Sequence, residues 1–168
     1  MPAHCSNVLD WRNAVAADRD LLRNFCCTYP ANPVFNDETD EFEHDLPWEL
    51  EVQDHFQRIY TPVTVPSFLL LGFLEEKLAA TIELIVTPFD RYCFIPAVAV
   101  AQHLSGNGYA GEAIDRVENV ASKYGWERNF TVEALIDADN LSAKSVFANR
   151  GYHSLEMRNR YELWLKAF

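Results

Sequence analysis

A chain of 168 residues with 49% hydrophobic side chains has room for one full core, and its net charge of −11 argues against a nucleic-acid backbone as partner, which would need clustered Lys and Arg. No apolar run reaches bilayer length and no leader pattern is visible, so membrane and exported classes are set aside. The cysteines Cys5, Cys26, Cys27 and Cys93 form no C-x-x-C pair, and adjacent Cys26 and Cys27 are poorly placed to bridge each other, which reads as reduced thiols in a cytoplasmic protein.

In chain order, Val8 to Ala14 predicts a first strand. Val15 to Cys26 predicts a helix that buries Val15, Leu21, Leu22, Phe25 and Cys26. The segment 28–46 holds Pro30 and Pro33, then Asp37, Glu38, Asp40, Glu41, Glu43 and Asp45; proline and this charge density predict a solvated loop without regular structure. Pro47 is a good first helical residue, and Trp48, Val52, Phe56 and Ile59 recur at helical spacing, so 47–60 is expected to be an amphipathic helix with Trp48 and Phe56 in the core. Three β-rich runs follow at 67–74, 78–87 and 92–100, separated by turn signals at Glu75-Glu76-Lys77 and Pro88-Phe89-Asp90. They predict an antiparallel meander whose continuous apolar character suits a sheet covered on both faces.

The last of these runs leads into Ser105-Gly106-Asn107-Gly108-Tyr109-Ala110-Gly111, after which Ile114, Val117, Val120, Ala121 and Tyr124 mark one face of a helix that Gly125 ends. Strand, glycine loop and helix start together form an anion site: glycines admit close backbone approach, and free N–H groups lie at the positive end of the helix dipole. The Walker ending Gly-Lys-Ser/Thr is absent, and the loop lies too late in the chain for a dinucleotide fold. A strand at 130–137 follows. Asn140 to Arg150 then predicts a helix, with Asn140 as N-cap, Ala143, Val146, Phe147 and Arg150 on one face, and Gly151 just past its end. Strands at 152–157 and 160–167 close around Arg158-Asn159, with no internal repeat, so 1–168 is expected to be a single domain.

Together, Ser105 to Ala110 and Asn140 to Tyr152 resemble the GNAT superfamily of acetyl-CoA-dependent N-acetyltransferases, the first on its Gln/Arg-x-x-Gly-x-Gly/Ala loop and the second on its Asn-x-x-Ala-x-x-x-Tyr-x-x-x-Gly-Phe helix. Trp11-Arg12-Asn13-Ala14 followed by Asp18 and Leu22 resembles the opening of that superfamily. The resemblance implies an α/β (α+β) fold with a mixed, mostly antiparallel sheet of about seven strands and about four helices. It implies acetyl transfer from acetyl-CoA to a primary amine by direct attack on the thioester. Val98, Ala99 and Val100 would pair with the pantetheine arm. Ser105, Gly106, Asn107, Gly108, Tyr109, Ala110 and Gly111 would hold the pyrophosphate, Asn140 would meet the pantetheine, Ala143 would leave room for it, and Phe147 would pack near the thiol.

The sequence departs from the family pattern at three positions. Ser105 stands in place of Gln or Arg. Phe147 replaces a frequent tyrosine and cannot donate a proton. Leu135 stands where many members carry an acidic residue, five positions before Asn140. The candidate general bases are then Glu83, costly in an apolar strand unless it is used, and Glu133, with Asp137 on the same strand face reading as a solvated or paired surface carboxylate. His103 reads as a surface residue, and His44 and His55 as isolated, so no metal is expected. The acidic 28–46 segment favours a cationic acceptor. Dimerisation, common in the family, leaves a homodimer as a partner expectation. The alternative to an enzyme is a non-catalytic acyl-CoA-binding regulatory module.

Overall fold

The computed structural model describes residues 8–28, 33–38, 41–44, 46–59 and 67–168. In chain order the elements are β1 (Asp10–Asn13), a 3-10 turn (Ala16–Asp18), α1 (Arg19–Arg23), β2 (Pro33–Asn36), β3 (Glu41–His44), α2 (Pro47–Arg58), β4 (Ser67–Leu74), β5 (Lys77–Thr87) and β6 (Tyr92–Val100). A second 3-10 turn (Gln102–Leu104), α3 (Tyr109–Lys123), β7 (Thr131–Asp137), α4 (Leu141–Ala148), β8 (His153–Arg158) and β9 (Tyr161–Ala167) complete the chain. Seven strands form one mixed sheet, as the family resemblance implied, and their order is β1-β4-β5-β6-β7-β9-β8.

Local chemistry explains most of these elements. Glu75 and Glu76 both take positive φ (48° and 64°) in a two-residue hairpin loop closed by Leu74 and Lys77, the geometry that matches strand twist. Parallel neighbours need a crossover, and α3 supplies it between β6 and β7. On one face of the sheet, Ile114, Val117 and Val120 of α3 and Phe147 of α4 pack on Ile82, Leu84, Ile95 and Val132. On the other face, Leu22, Phe25 and Phe56 pack on Leu69, Leu71, Ala97 and Ala99.

Two expectations are corrected. The helix expected over 15–26 is a 3-10 turn followed by five residues of α1, so only Leu22 and Phe25 reach the core while Val15, Leu21 and Cys26 are exposed. The cause is Asp18: its buried carboxylate accepts the Val15 N–H (2.8 Å) and both Arg12 guanidinium donors (2.7 and 2.6 Å), which sets the entry into the turn. The segment expected to be irregular contains an antiparallel hairpin, β2 with β3, in register from Pro33↔His44 to Asn36↔Glu41. Acidic side chains do not forbid a ladder, and Pro33 sits at a strand start, where a missing N–H is tolerated; 29–32, 39, 40 and 45 lie outside the described residues. The meander β4–β6 is covered on both faces, as its apolar character predicts, whereas every residue of the edge strand β8 is exposed.

Candidate functional site

The site begins where β6 and β7 part. Their parallel register runs from Tyr92↔Thr131 to Ile95↔Ala134 and stops there. Pro96 comes next and has no N–H to donate. Against β5 the register passes from Ile85↔Phe94 to Glu83↔Ala97, so Ile95 and Pro96 together face the single residue Leu84, a bulge that bends the strand. Beyond it the Ala101 N–H donates to Ala79 O (2.7 Å). By the alternation of an antiparallel ladder, Ala99 and Ala97 also turn their main-chain groups to β5, while those of Val98 and Val100 face the gap.

Two cavities meet in this gap, sharing Trp48, Val52, Val98, Asn140, Ala143 and Phe147. The first, about 440 Å³, runs toward the glycine loop. Gly106 and Gly108 hold φ of 81° and 85°, a region other residues enter at a cost. The first bond into α3 is the Glu112 N–H to Gly108 O (3.1 Å), so the amides of Tyr109, Ala110 and Gly111 have no helical acceptor. The start of α3 is pinned to β1 by Glu112, whose Oε1 accepts the Trp11 indole N–H (2.7 Å) and the Leu9 N–H (3.0 Å). Arg150 lines the same end, its Nε donating to Gly111 O (2.8 Å) and Asp115 (2.9 Å). A Cβ on Gly111 would lie 1.9 Å from that guanidinium, so glycine is what lets Arg150 reach the loop.

The second cavity, about 370 Å³, lies between Pro96–Val98 and Leu135–Asp137 and is roofed by Trp48, Glu51, Val52 and His55 of α2. Its walls are mostly aliphatic, with the carboxylates of Glu51 and Asp137 and the rings of Trp48, His55 and Tyr161 among them, and no Lys or Arg among the described lining residues. Arg160, just outside, ties Glu51 (2.6 Å) to Asp137 (3.1 Å) across the mouth, and the Tyr161 hydroxyl donates to Glu51 (3.1 Å). Burial, then the Glu51 carboxylate, raises the Tyr161 phenol above its ordinary range.

The family model described as Acetyltransferase (GNAT) family matches residues 31–152. The chain belongs to the GNAT acetyltransferase family. The PaiA N-acetyltransferase of Thermoplasma acidophilum, solved in complex with coenzyme A, superposes with a TM-score of 0.69 at 12% identity, covering 95% of this chain and 99% of that one. A GNAT acetyltransferase of Streptococcus pneumoniae gives 0.63 at 15% identity over 95% and 99%. A mutant of the SpeG spermidine N-acetyltransferase of Vibrio cholerae gives 0.63 at 13% over 95% and 93%. At such identities the likeness establishes the fold; a search of characterised proteins finds no significant sequence match.

Within this GNAT fold, Ser105, Gly106, Gly108, Tyr109, Ala110, Gly111, Val98, Ala99, Val100, Asn140, Ala143 and Phe147 all border the first cavity. Four of the residues expected there have partners of their own within the chain. The Ser105 N–H is taken by Gln102 O (3.1 Å), and the Asn107 side chain folds back to Leu104 O (3.0 Å), bracing the loop from outside the cavity lining. By the ladder alternation, Ala99 turns its main-chain groups to β5 and not to the gap. Asn140 caps α4, its Oδ1 accepting the Ala143 N–H (3.0 Å).

Of the expected bases, Glu133 is not brought to the gap. It sits beside the still-paired part of the sheet, where its carboxylate accepts the Tyr92 hydroxyl (2.9 Å), and burial with that bond pushes the Tyr92 phenol up to about 12. Glu83 is buried behind α2 and lines neither cavity, but its Oε2 lies 2.6 Å from His55 Nε2. The reading of His55 as isolated is therefore overturned. Asp137 is buried rather than on the surface, held by Arg160 and the Asp139 N–H (3.0 Å). Trp48, expected in the core, lines both cavities instead, while Phe56 is fully buried. His55, Glu51, Trp48 and Tyr161 were missed; the signal on α2 was the 48, 51/52, 55 spacing, which puts polar and aromatic residues on one stripe. Pro96 within an apolar strand was the signal for the split. Cys27 also borders the first cavity, but burial, then Glu49, pushes its thiol up to about 12, so it stays protonated and is no nucleophile.

No helix among the described residues is long and apolar enough to cross a membrane, and those residues hold no cluster of metal-ligating side chains.

Proposed function

We propose that this chain, acting as one domain, transfers an acetyl group from acetyl-CoA to a primary amine on a cationic acceptor. The observation that carries the reading is the meeting of two unlike cavities at Val98, Asn140, Ala143 and Phe147, one ending on amides with no helical acceptor, the other apolar with Glu51, His55, Asp137 and Tyr161 set into its walls. The residues present fit acetyl-CoA. The amides of Tyr109, Ala110 and Gly111, with the left-handed backbone of Gly106 and Gly108, suit the pyrophosphate, and the Arg150 guanidinium supplies a charge that Ser105 does not. The gap-facing groups of Val98 and Val100 suit the amide-bearing arm, and Asn140, Ala143 and Phe147 form the floor beneath it. Bound there, acetyl-CoA supplies an activated thioester. The chain's part is to hold it in line with an amine, polarise its carbonyl through a strand amide, and exclude water. Glu51 and Asp137 at the mouth of the second cavity favour a positively charged acceptor.

Phe147 favours the second reading, a module that binds acyl-CoA without turnover. Its ring stacks edge-on against Tyr152 (5.0 Å), whose hydroxyl lies off both cavities and, raised by burial, does not replace the missing acid. Isothermal titration of acetyl-CoA and free CoA, followed by thiol-release assays over a panel of amines, separates the two. Amine-dependent release establishes the transferase. Binding without release establishes the module, and no binding overturns both.

A further inference from the structure

We propose that His55 is the group that takes the proton from the acceptor's ammonium, and that Glu83 is its positioning residue. The proposal rests on the transferase reading above. His55 lies on the cavity-lining stripe of α2, its side chain 39% exposed, while the Glu83 side chain behind it is 11% exposed. A carboxylate in an apolar strand needs a partner, and here that partner is His55 Nε2 at 2.6 Å. An ionised Glu83 can only accept, so it fixes the proton of the neutral ring on Nε2 and leaves Nδ1 as the acceptor nitrogen. The edge-on contact of the ring with buried Phe56 (5.3 Å between centroids) holds its plane. The pair thus resembles the base and orienting carboxylate of a hydrolytic triad, applied to an amine.

The other ionisable groups facing this space are Glu51 on α2, Asp137 on β7 and Tyr161 on β9. The first two are bridged by Arg160, and Asp54 on α2 is paired with Arg58 (2.8 Å). Among the described ionisable groups bordering the second cavity, the two carboxylates are held by Arg160 and the Tyr161 hydroxyl is turned to Glu51, which leaves His55 Nδ1 as the acceptor. The protons balance as follows. One moves from the ammonium nitrogen to Nδ1, and the imidazolium formed is stabilised by Glu83 and discharges to solvent. The freed lone pair forms the C–N bond as the C–S bond breaks, and the second N–H proton ends on the departing sulfur, where Phe147 offers none.

The test has two parts. In the ligand-free protein, long-range 1H–15N NMR reads which nitrogen of His55 carries the proton. Nε2–H is expected, with mixed tautomers in Glu83→Gln; an Nδ1–H ring in the wild type overturns the proposal. At saturating acetyl-CoA, thiol release is then compared for n-butylamine, protonated at pH 7, and 2,2,2-trifluoroethylamine, already neutral there. His55→Gln is expected to slow the first about 100-fold or more and the second less than about threefold, and to abolish the limb on which the wild-type rate with n-butylamine rises with pH. Equal slowing of both amines, or an unchanged limb, marks a structural role and overturns the proposal. Release with neither amine in the wild type overturns the transferase reading, and the proposal with it, whatever the tautomer.

Discussion

The two ends of the gap are built in opposite ways. The loop end is backbone: it uses consecutive residues from Gly106 to Gly111, shaped by positive φ and by the start of one helix, and Arg150, the one Lys or Arg among the described residues lining that cavity, arrives by packing on a glycine. The α2 end is side chain: Trp48, Glu51 and His55 meet Asp137 and Tyr161 from across the sheet. A site made of backbone should fail when the backbone conformation is forbidden and tolerate side-chain truncation. A site made of side chains should respond in the reverse way.

The largest effect is therefore expected from Gly108→Val. At φ 85° a β-branched residue is strained by more than the roughly 1–2 kcal/mol that left-handed backbone costs an ordinary residue, and relieving the strain turns the amides away. Affinity for acetyl-CoA should fall about 100-fold, or about 2.7 kcal/mol, by titration calorimetry, with the thermal midpoint little changed. A Gly108→Val protein that binds normally would break the backbone account of that end.

Next comes the anchor beneath the α2 end. Asp18→Asn should cost about 2 kcal/mol in denaturant unfolding, the range of hydrogen bonds to a charged group. The same pair gives an acid signature. Arg12, chiefly through its hydrogen bonds, holds the Asp18 carboxyl below the usual carboxylate range. The folded value is the lower one, so the stabilisation is complete above the unfolded value near about 4 and is lost as pH falls through the folded value. The 105–111 loop has no carboxylate to lose. Amide exchange on a falling pH series should therefore rise first around α1 and α2 and only later in the loop.

This contrast also explains what could be read from the sequence. The loop, the Asn140 cap and the helix faces of α3 and α4 were legible because each depends on residues close together in the chain. The mixed sheet of about seven strands followed from the family pattern those residues carry. His55 with Glu83, and Arg160 with Glu51 and Asp137, were not legible, because their partners lie 28, 109 and 23 positions apart and only the fold brings them together. The β2–β3 hairpin was hidden for another reason: the prolines and charge density of 28–46 are those of a solvated loop, whereas the ladder is made by the backbone. Trp48 and Phe56 share one helix and one hydrophobic pattern, and only the position of the split in the sheet decides that one lines a cavity and the other fills the core.

Smaller effects sharpen the comparison. Arg150→Ala should weaken acetyl-CoA about tenfold and affect dephospho-forms lacking the 3′-phosphate similarly if the guanidinium serves the pyrophosphate, since a charge-assisted contact to phosphate is worth about 1.5–3 kcal/mol less what Asp115 already takes. At the other end, Arg160→Gln releases Glu51 and Asp137 from their bridge. The KM of a cationic amine should drop about threefold and that of a neutral one should not move, the size expected of half-exposed charges.

The smallest effect is the most discriminating at the loop. Ser105 occupies the head position where the family pattern has Gln or Arg, it is exposed, and its N–H already donates to Gln102 O. If the loop end works through the amides of 109–111 and through Arg150, Ser105→Ala removes nothing that touches the phosphates, and the affinity for acetyl-CoA should change less than about twofold, under about 0.4 kcal/mol. Ser105→Arg should then tighten binding at low ionic strength and lose that gain as salt is raised, because the added charge sits at the surface and is screened within about 10 Å at 0.1 M. A loss of tenfold or more on Ser105→Ala would place a side-chain hydroxyl among the groups that hold the anion, and the division between a backbone end and a side-chain end would not stand.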